Sequence, residues 1–278
     1  MYNYSIVLPY YDKYDLFVKA VDSILDREDI QIIVVDNSKV SLVEHQIPCK
    51  QKAKITYVTS DNTKGAGCAR NVGLTKVEGK YTLFCDADDY FTPEAFDSFD
   101  KYLDKEYDIV FFKPTSINLT DGNLSNRHIF YAQIVESYLK DRNEDLLRCK
   151  WEVPWAKLYR TSYILLGGFE FDEVKVGNDV WFSLVTGYNA PKITADDTIV
   201  YVVTEGEKGT SLTLNRTKEN WFTRFQVAIR VNKFLKSKGK YQYHIRLLGF
   251  LKITLKEFGI KEYMRFLFYA IKNNVGIF

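Results

Sequence analysis

The chain has 278 residues, 46% hydrophobic and 15% aromatic, with a formal net charge of +2. That composition is globular, and the length suits one large domain or one domain with an appendage. No apolar run approaches the roughly eighteen residues of a membrane-spanning helix, and Met1-Tyr2-Asn3-Tyr4 lacks the basic start of a secretory signal.

In chain order, Tyr4-Ser5-Ile6-Val7-Leu8-Pro9 is the first apolar run. Leu16, Phe17, Ala20, Val21, Ile24 and Leu25 then recur at helical spacing and give one apolar face. Gln31-Ile32-Ile33-Val34-Val35-Asp36 reads as a second strand and Lys54-Ile55-Thr56-Tyr57-Val58-Thr59 as a third. A helix from Ala66 to Val77 follows Gly65, and Tyr81 to Cys85 is a fourth strand. Strands alternating with helices predict an α/β fold with a parallel, doubly wound sheet, whose ligands bind outside the carboxyl ends of the strands. Pro9-Tyr10-Tyr11, Asp36-Asn37 and Asp86-Ala87-Asp88-Asp89 all stand at such ends. Their convergence on one crevice predicts a nucleotide site.

The acidic cluster is the most informative of the three. Carboxylates crowded behind a buried strand repel one another and lose solvation, so they call for a compensating cation. Hard oxygen ligands suit Mg²⁺ or Mn²⁺, which keep several waters and also bind substrate phosphates. The bland alternative is a solvated acidic turn that caps a helix starting near Pro93.

These motifs together resemble a family 2 glycosyltransferase of the GT-A fold. Ser5-Ile6-Val7-Leu8-Pro9-Tyr10-Tyr11-Asp12 is similar to the family's opening strand and turn, and Ile32-Ile33-Val34-Val35-Asp36-Asn37-Ser38 to its second strand. Lys64-Gly65-Ala66-Gly67-Cys68-Ala69-Arg70-Asn71-Val72-Gly73 resembles its K-G-x-x-x-A-R-N-x-G element, and Phe84 to Pro93 its D-x-D-D segment. Further on, Pro154-Trp155-Ala156-Lys157-Leu158-Tyr159-Arg160 resembles W-x-K-L-Y-R. Gly177-Asn178-Asp179-Val180-Trp181-Phe182 stands where the family carries G-E-D-x-x-F, with Asn178 in place of its Glu. Gly209-Thr210-Ser211-Leu212-Thr213 resembles a loop that closes over the donor, although the preceding Val202-Val203-Thr204-Glu205 lacks the family's basic and aromatic residues.

The resemblance implies a Rossmann-like GT-A domain over residues 1–217, with a mostly parallel sheet flanked by helices. It also implies a metal-dependent, inverting transferase that takes a sugar from a nucleotide-diphosphate donor, a UDP-sugar for preference, to a glycan or lipid-linked glycan. Pro9 and Tyr11 are then expected at the donor, Tyr11 as a stacking face for the base. Asp36 would accept a base N–H, while Arg70 and Asp86 would lie at the diphosphate or ribose, with Arg70 equally suited to an internal ion pair with the acidic loop. Asp88 is the preferred metal ligand, with Asp89 beside it; the resemblance does not fix which of Asp86, Asp88 and Asp89 touches the Mn²⁺ or Mg²⁺ directly. Asp179 is the candidate general base, and a helix N-cap is its structural alternative.

Other readings fit less well. Gly65-Ala66-Gly67-Cys68-Ala69-Arg70 lacks the third glycine of a dinucleotide fingerprint and follows the third strand, not the first. A nucleotidyltransferase would carry a basic, Gly-rich loop where Pro9-Tyr10-Tyr11-Asp12 stands, and a catalytically silent glycan-binding scaffold would not need the intact aspartates. Scattered His45, His128 and His244 suggest no zinc site, and Cys49, Cys68, Cys85 and Cys149 form no C-x-x-C pair, which fits a reducing cytosol.

The small net charge hides an asymmetry. Residues 218–278 hold thirteen Lys/Arg against three Asp/Glu, and the rest of the chain is net acidic. This helical, basic C-terminal region also carries aromatic residues at helical spacing, beginning with Trp221-Phe222 and Phe225. Basic amphipathic helices commonly lie on anionic membrane surfaces, and together with the resemblance this implies a cytoplasmic protein that can sit peripherally on the inner face of a bacterial membrane. The alternative is that the apolar faces pack internally and leave the lysines solvated. No nucleic-acid-binding motif accompanies the charge, so no nucleic-acid partner is expected.

Overall fold

The computed structural model describes residues 1–38, 42, 55–206 and 216–276. It divides into two compact units, Met1–Ser211 and Leu212–Phe278.

Eight strands of the first unit form one mixed sheet: β1 (Tyr4–Tyr10), β2 (Ile30–Asp36), β3 (Ile55–Thr59), β4 (Tyr81–Phe84), β5 (Tyr90–Phe91), β6 (Ile109–Asn118), β7 (Lys157–Arg160) and β8 (Ile193–Glu205). The spatial order is β3-β2-β1-β4-β7-β6-β8-β5. One half, β3-β2-β1-β4, is entirely parallel, as the alternating sequence predicts. Every residue of β1, β2 and β4 is buried, and strands covered on both faces read as continuous apolar runs. The other half departs from the doubly wound expectation. β7 enters antiparallel between β4 and β6, and β5 lies antiparallel to β8, while β6 and β8 are parallel.

Helices α1 (Tyr14–Asp22), α2 (Gly65–Leu74) and α3 (Ala95–Asp100) belong to the first half of the unit, and α4 (Ile129–Asp141), α5 (Asp145–Lys150), α6 (Thr161–Leu166) and α7 (Val180–Asn189) to the second. α1 and α2 stop three residues short of the ends expected from periodicity, at Asp22 and Leu74. Two glycines explain why so poor a helix former as Gly65-Ala66-Gly67-Cys68 builds α2. A Cβ on Gly73 would lie 2.4 Å from Val7 Cγ1, and one on Gly67 would lie 2.0 Å from the carbonyl oxygen of Asp172. The helix can therefore sit flush on β1 and against the segment that leads to α7 only without those side chains.

The aromatic residues pack beneath the carboxyl ends of the central strands. Phe84 meets Tyr159, Phe171 and Phe182 edge to face, and Phe171 stacks on Phe182 with centroids 3.8 Å apart. Trp155 lies parallel to Tyr201 at 5.6 Å.

The second unit pairs α8 (Lys218–Ser237) with α9 (Leu247–Lys272). Trp221, Phe225, Ile229, Leu247, Leu251 and Phe266 form its own core. Trp221 Nε1 donates to Thr254 Oγ1 at 3.0 Å, and Asn232 clamps Ile245 through both its amide oxygen and its nitrogen. Thr217 caps α8 by accepting from the Asn220 N–H. α9 is broken at Gly259, whose φ of 83° lies in the left-handed region open to glycine. No helix among the described residues is long and apolar enough to cross a membrane.

Candidate active site

Because β2, β1 and β4 are parallel neighbours, their carboxyl ends bring Asp36, Tyr11 and Asp86 to one rim. Tyr10 is buried against Phe17, while Tyr11, the next residue, is exposed. Asp12 turns the chain with a φ of 44°, a conformation that Asp tolerates. Pro9 is buried within β1 opposite Val35 and supports this turn.

Asp36 is fully engaged by its own surroundings. One carboxylate oxygen accepts from the backbone N–H of Ser38 at 2.9 Å and from the Ser38 hydroxyl, and the other from the Leu42 N–H and the Tyr57 hydroxyl. A carboxylate has about four acceptor positions, and all are used. Burial pushes this acid upward, but the donors from Ser38, Tyr57 and Leu42 outweigh it and hold Asp36 below the usual carboxylate range. The carboxylate expected to accept a base N–H thus organises the end of β2 through these protein donors.

Arg70 is the hub of the centre. It is buried on α2, with Nη2 donating to Asp86 at 2.5 Å and Nη1 to Asn178 Oδ1 at 2.9 Å. Its guanidinium lies 5.3 Å from the Phe171 ring centroid. Burial disfavours the charge, yet Asp86 and Asp179 more than restore it and raise Arg70 above its ordinary value. Of its two expected roles, the structure shows the internal ion pair. Asn178, which replaces the family's Glu, is a second, neutral acceptor for the guanidinium, whose buried Nε has no hydrogen-bond partner among the described residues. Beside it, Asn71 donates to the Phe171 carbonyl at 3.0 Å and accepts from the Phe171 N–H at 2.8 Å.

The three acidic-loop residues separate. Asp86 faces Arg70. Asp88 is partly exposed and pairs with the solvated Lys13 at 2.8 Å. Asp89 is buried, and its Oδ1 accepts from the Thr204 N–H on β8 at 2.7 Å. Burial pushes Asp89 far up the pH scale, with Asp88 and Asp86 adding repulsion. The Thr204 hydroxyl also donates to the Asp88 carbonyl, and the Asp86 N–H to the Tyr201 hydroxyl at 2.9 Å, so the loop is stitched to β8. Among the described residues, no three His, Cys, Asp or Glu side chains gather in a metal-binding arrangement. An ion held by one carboxylate, waters and substrate phosphates still fits Asp88, whose partner is a solvated lysine. Asp89 does not fit as the second ligand expected from sequence, because it is buried and committed to β8.

Asp179 stands at the N-cap position of α7, yet its side chain makes no cap hydrogen bond. The carboxylate is half-buried. Burial raises its pKa above the usual carboxylate value, and Arg70 only partly offsets that rise. A perturbed acid with no side-chain cap bond, at the head of a helix beside Arg70, is suited to moving a proton.

Several neighbours were not anticipated. Glu152 is half-buried and also raised, first by burial and then by repulsion from Asp179, with Lys150 opposing. Lys157 on β7 is fully buried, and its Nζ has no hydrogen-bond partner among the described residues. It lies 5.1 Å from the Tyr159 ring and 5.5 Å from that of Phe111, and burial depresses its pKa well below the ordinary lysine value despite the pull of Asp179. Arg127 also contributes favourably to the ionised form of Asp179. The W-x-K-L-Y-R element carried the only sequence signal for Lys157; nothing marked Glu152 or Arg127. The Gly209–Thr213 element and Cys49 lie outside the described residues.

A model described as glycosyl transferase family 2 matches residues 5–164. Poly(ribitol-phosphate) beta-N-acetylglucosaminyltransferase TarS of Staphylococcus aureus is 25% identical over 217 residues, which cover 74% of this chain and 36% of TarS. The chain thus spans about a third of the length of the curated relatives it matches. The crystal structure of S. aureus TarS 1-349 in complex with UDP-GlcNAc superposes with a TM-score of 0.72 at 20% identity, covering 98% of this chain and 81% of that one. A mannosyltransferase of Pyrobaculum calidifontis, in complex with GDP-Man and Mn²⁺, gives a TM-score of 0.59 at 13% identity, covering 97% and 79%. These two likenesses establish the GT-A fold.

Proposed function

The chain belongs to glycosyl transferase family 2, and from that premise we propose that it transfers a sugar from a nucleotide-diphosphate donor to a glycan or lipid-linked glycan hydroxyl with inversion. A UDP-sugar is the donor, because the relatives' names and the UDP-GlcNAc complex point to hexosyl or N-acetylhexosaminyl transfer. Those names also make polyol-phosphate polymers a candidate acceptor class. The observation that carries the reading is the contrast at the rim. Asp36, Asp86, Asp88 and Asp89 are each held by a side-chain or backbone partner from another part of the fold, whereas among the described residues Asp179 makes no side-chain cap bond and no ion pair, and burial raises its pKa above the usual carboxylate value.

In the reaction, the acceptor oxygen bonds to the anomeric carbon from the face opposite the diphosphate. The carbon–oxygen bond to the diphosphate breaks, its electron pair leaves with the nucleoside diphosphate, and the acceptor proton passes to Asp179. Proton transfer is late, because a carboxylate is too weak a base to deprotonate a free alcohol. Tyr11 offers the exposed aromatic face for the base. Asp88 is the residue to hold Mn²⁺ or Mg²⁺, which when bound stabilises negative charge on the departing diphosphate. Arg70 fixes Asp86 and Asn178 and so sets the floor of the cleft. The basic second unit would keep the enzyme peripheral to an anionic membrane face, where lipid-linked acceptors are found.

The test is a thermal-shift screen of nucleotide sugars with and without Mn²⁺, because a ligand of the native state raises Tm with occupancy. A UDP-sugar should give a Mn²⁺-dependent shift in the parent that Asp88→Asn loses while its ligand-free Tm stays unchanged. No shift with any nucleotide sugar would remove the reading, and an undiminished shift in the variant would remove the metal assignment.

A further inference from the structure

The second unit has more apolar surface than its own core uses. After the break at Gly259, Phe266 and Ala270 turn inward and are buried. Ile260, Met264, Phe268 and Ile271 follow one another at intervals of four, four and three, so they share one face of the helix. That face is open: Ile260 is 63% exposed, Phe268 62% and Ile271 60%. Lys261 and Lys272, one position further round, are exposed basic residues along the same side, while Arg265 between them lies over the Phe222 ring and pairs with Glu262. Before the break, Leu248 and Leu255 are exposed beside Lys252 and Lys256. An inner apolar face, an outer apolar stripe and a basic flank are therefore arranged around one helix.

We propose that the outer stripe of α9 is the surface that docks on an anionic lipid bilayer, with Ile260, Met264, Phe268 and Ile271 entering the headgroup boundary and the basic flank meeting the lipid phosphates. This deepens the membrane-peripheral part of the proposed function and rests on it. Two observations choose the occupant. First, residues 218–278 carry thirteen basic against three acidic side chains, which complements a negative surface. Second, that same excess opposes a second copy of the chain on this face, since two strongly basic units would be brought together. Four large apolar residues in line with lysines are the composition of helices that lie in the plane of an interface. The break at Gly259 lets the outer half of α9 take its own direction relative to the inner half.

Co-sedimentation with vesicles of equal parts phosphatidylglycerol and phosphatidylcholine tests the surface. Two variants are compared with the parent: Ile260→Ser/Phe268→Ser/Ile271→Ser and Lys252→Gln/Lys256→Gln/Lys261→Gln/Lys272→Gln. All these positions are exposed, so both variants should keep the parent's Tm. The proposal expects the serine variant to lose about tenfold or more in binding at every salt concentration, as removal of buried apolar area requires. The glutamine variant should lose the salt-dependent part of binding, which fades as the Debye length shortens. Parent binding equal to that on pure phosphatidylcholine, or a serine variant that binds like the parent, would overturn it. A parent dimer that becomes monomeric in the serine variant, measured by light scattering, would overturn it in favour of a second copy. The UDP-sugar thermal shift is run on the same samples. Donor binding without vesicle binding sinks only the surface, and vesicle binding without donor binding sinks only the transferase reading.

Discussion

Asp36 and Asp179 are both aspartates in one cleft, and their surroundings move them in opposite directions. Asp36 ends a parallel strand and is met by hydroxyls and backbone N–H groups, so its charged form is held firmly. Asp179 stands at the head of α7, where burial dominates and Arg70 supplies only partial relief. The parallel side of the molecule thus holds its carboxylate ionised with donors, and the mixed side leaves one whose charge burial disfavours. Environment, not residue type, divides the labour.

The sharpest way to break this comparison is Asp179→Asn. Transfer should fall by ~10²-fold or more, the usual scale for a lost general base, with the UDP-sugar thermal shift retained. In the parent, kcat/KM should rise through an acid limb above the ordinary carboxylate pKa of about 3.9, and the residual rate of the variant should lack that limb. The sign also bears on stability. An acid raised in the folded state favours folding below that pKa and opposes it above, so at neutral pH the variant should melt no lower than the parent. Equal losses in donor binding and turnover would place Asp179 at the donor instead.

Asp36→Asn should act the other way, on stability first. An amide nitrogen would face donors that now have an acceptor, at a cost of about 1–3 kcal/mol in urea or thermal denaturation. Asp36 is depressed, so its contribution is present above the unfolded pKa and is lost as pH falls through the lower folded value. The acid arm of the variant's Tm–pH curve should accordingly be flatter. An unaltered Tm with selective loss of UDP binding would return Asp36 to base recognition.

The smallest effect is expected at Lys13. Its pair with Asp88 is solvent-exposed on both sides, so Lys13→Met should change stability by less than ~1 kcal/mol. Removal of that competing cation should tighten Mn²⁺ binding, measured by titration calorimetry, by at most about fivefold on the same scale. Weaker Mn²⁺ binding would show that Lys13 supports the ion's site.

The legible part of the molecule was the part with local signals. β1, β2 and β4 are buried on both faces and end in polar clusters, and such runs can be read directly from one sequence. The antiparallel half was harder. β8 carries Asp196, Asp197 and Thr198 in mid-strand, where Asp196 accepts from the Thr198 N–H and the Tyr102 hydroxyl, and no period announces a strand there. Within the cleft, the residue types were legible but their partners were not. Arg70 finds Asn178 across 108 positions, and Asp89 finds Thr204 across 115. Which of three neighbouring aspartates stays near solvent is decided by those distant contacts. The apolar periodicity of the tail was visible too, but only the packed helices show which apolar residues are consumed inside and which remain outside.

The reciprocal bonds between Asn71 and Phe171, with the bare Gly67 against Asp172, also bear on how the cleft comes into being. β1 and β2 pair across an offset of 26 residues, whereas the clasp closes over 100. Ordering a longer loop costs more entropy, and distant contacts are slow to form. As a growing chain leaves the ribosome, the parallel strands can therefore assemble while the Asn178–Asp179 segment is still unmade, and Arg70 must wait for it. The contacts that hold Arg70, Asn178 and the Phe171 segment together are then the last of the site to be made.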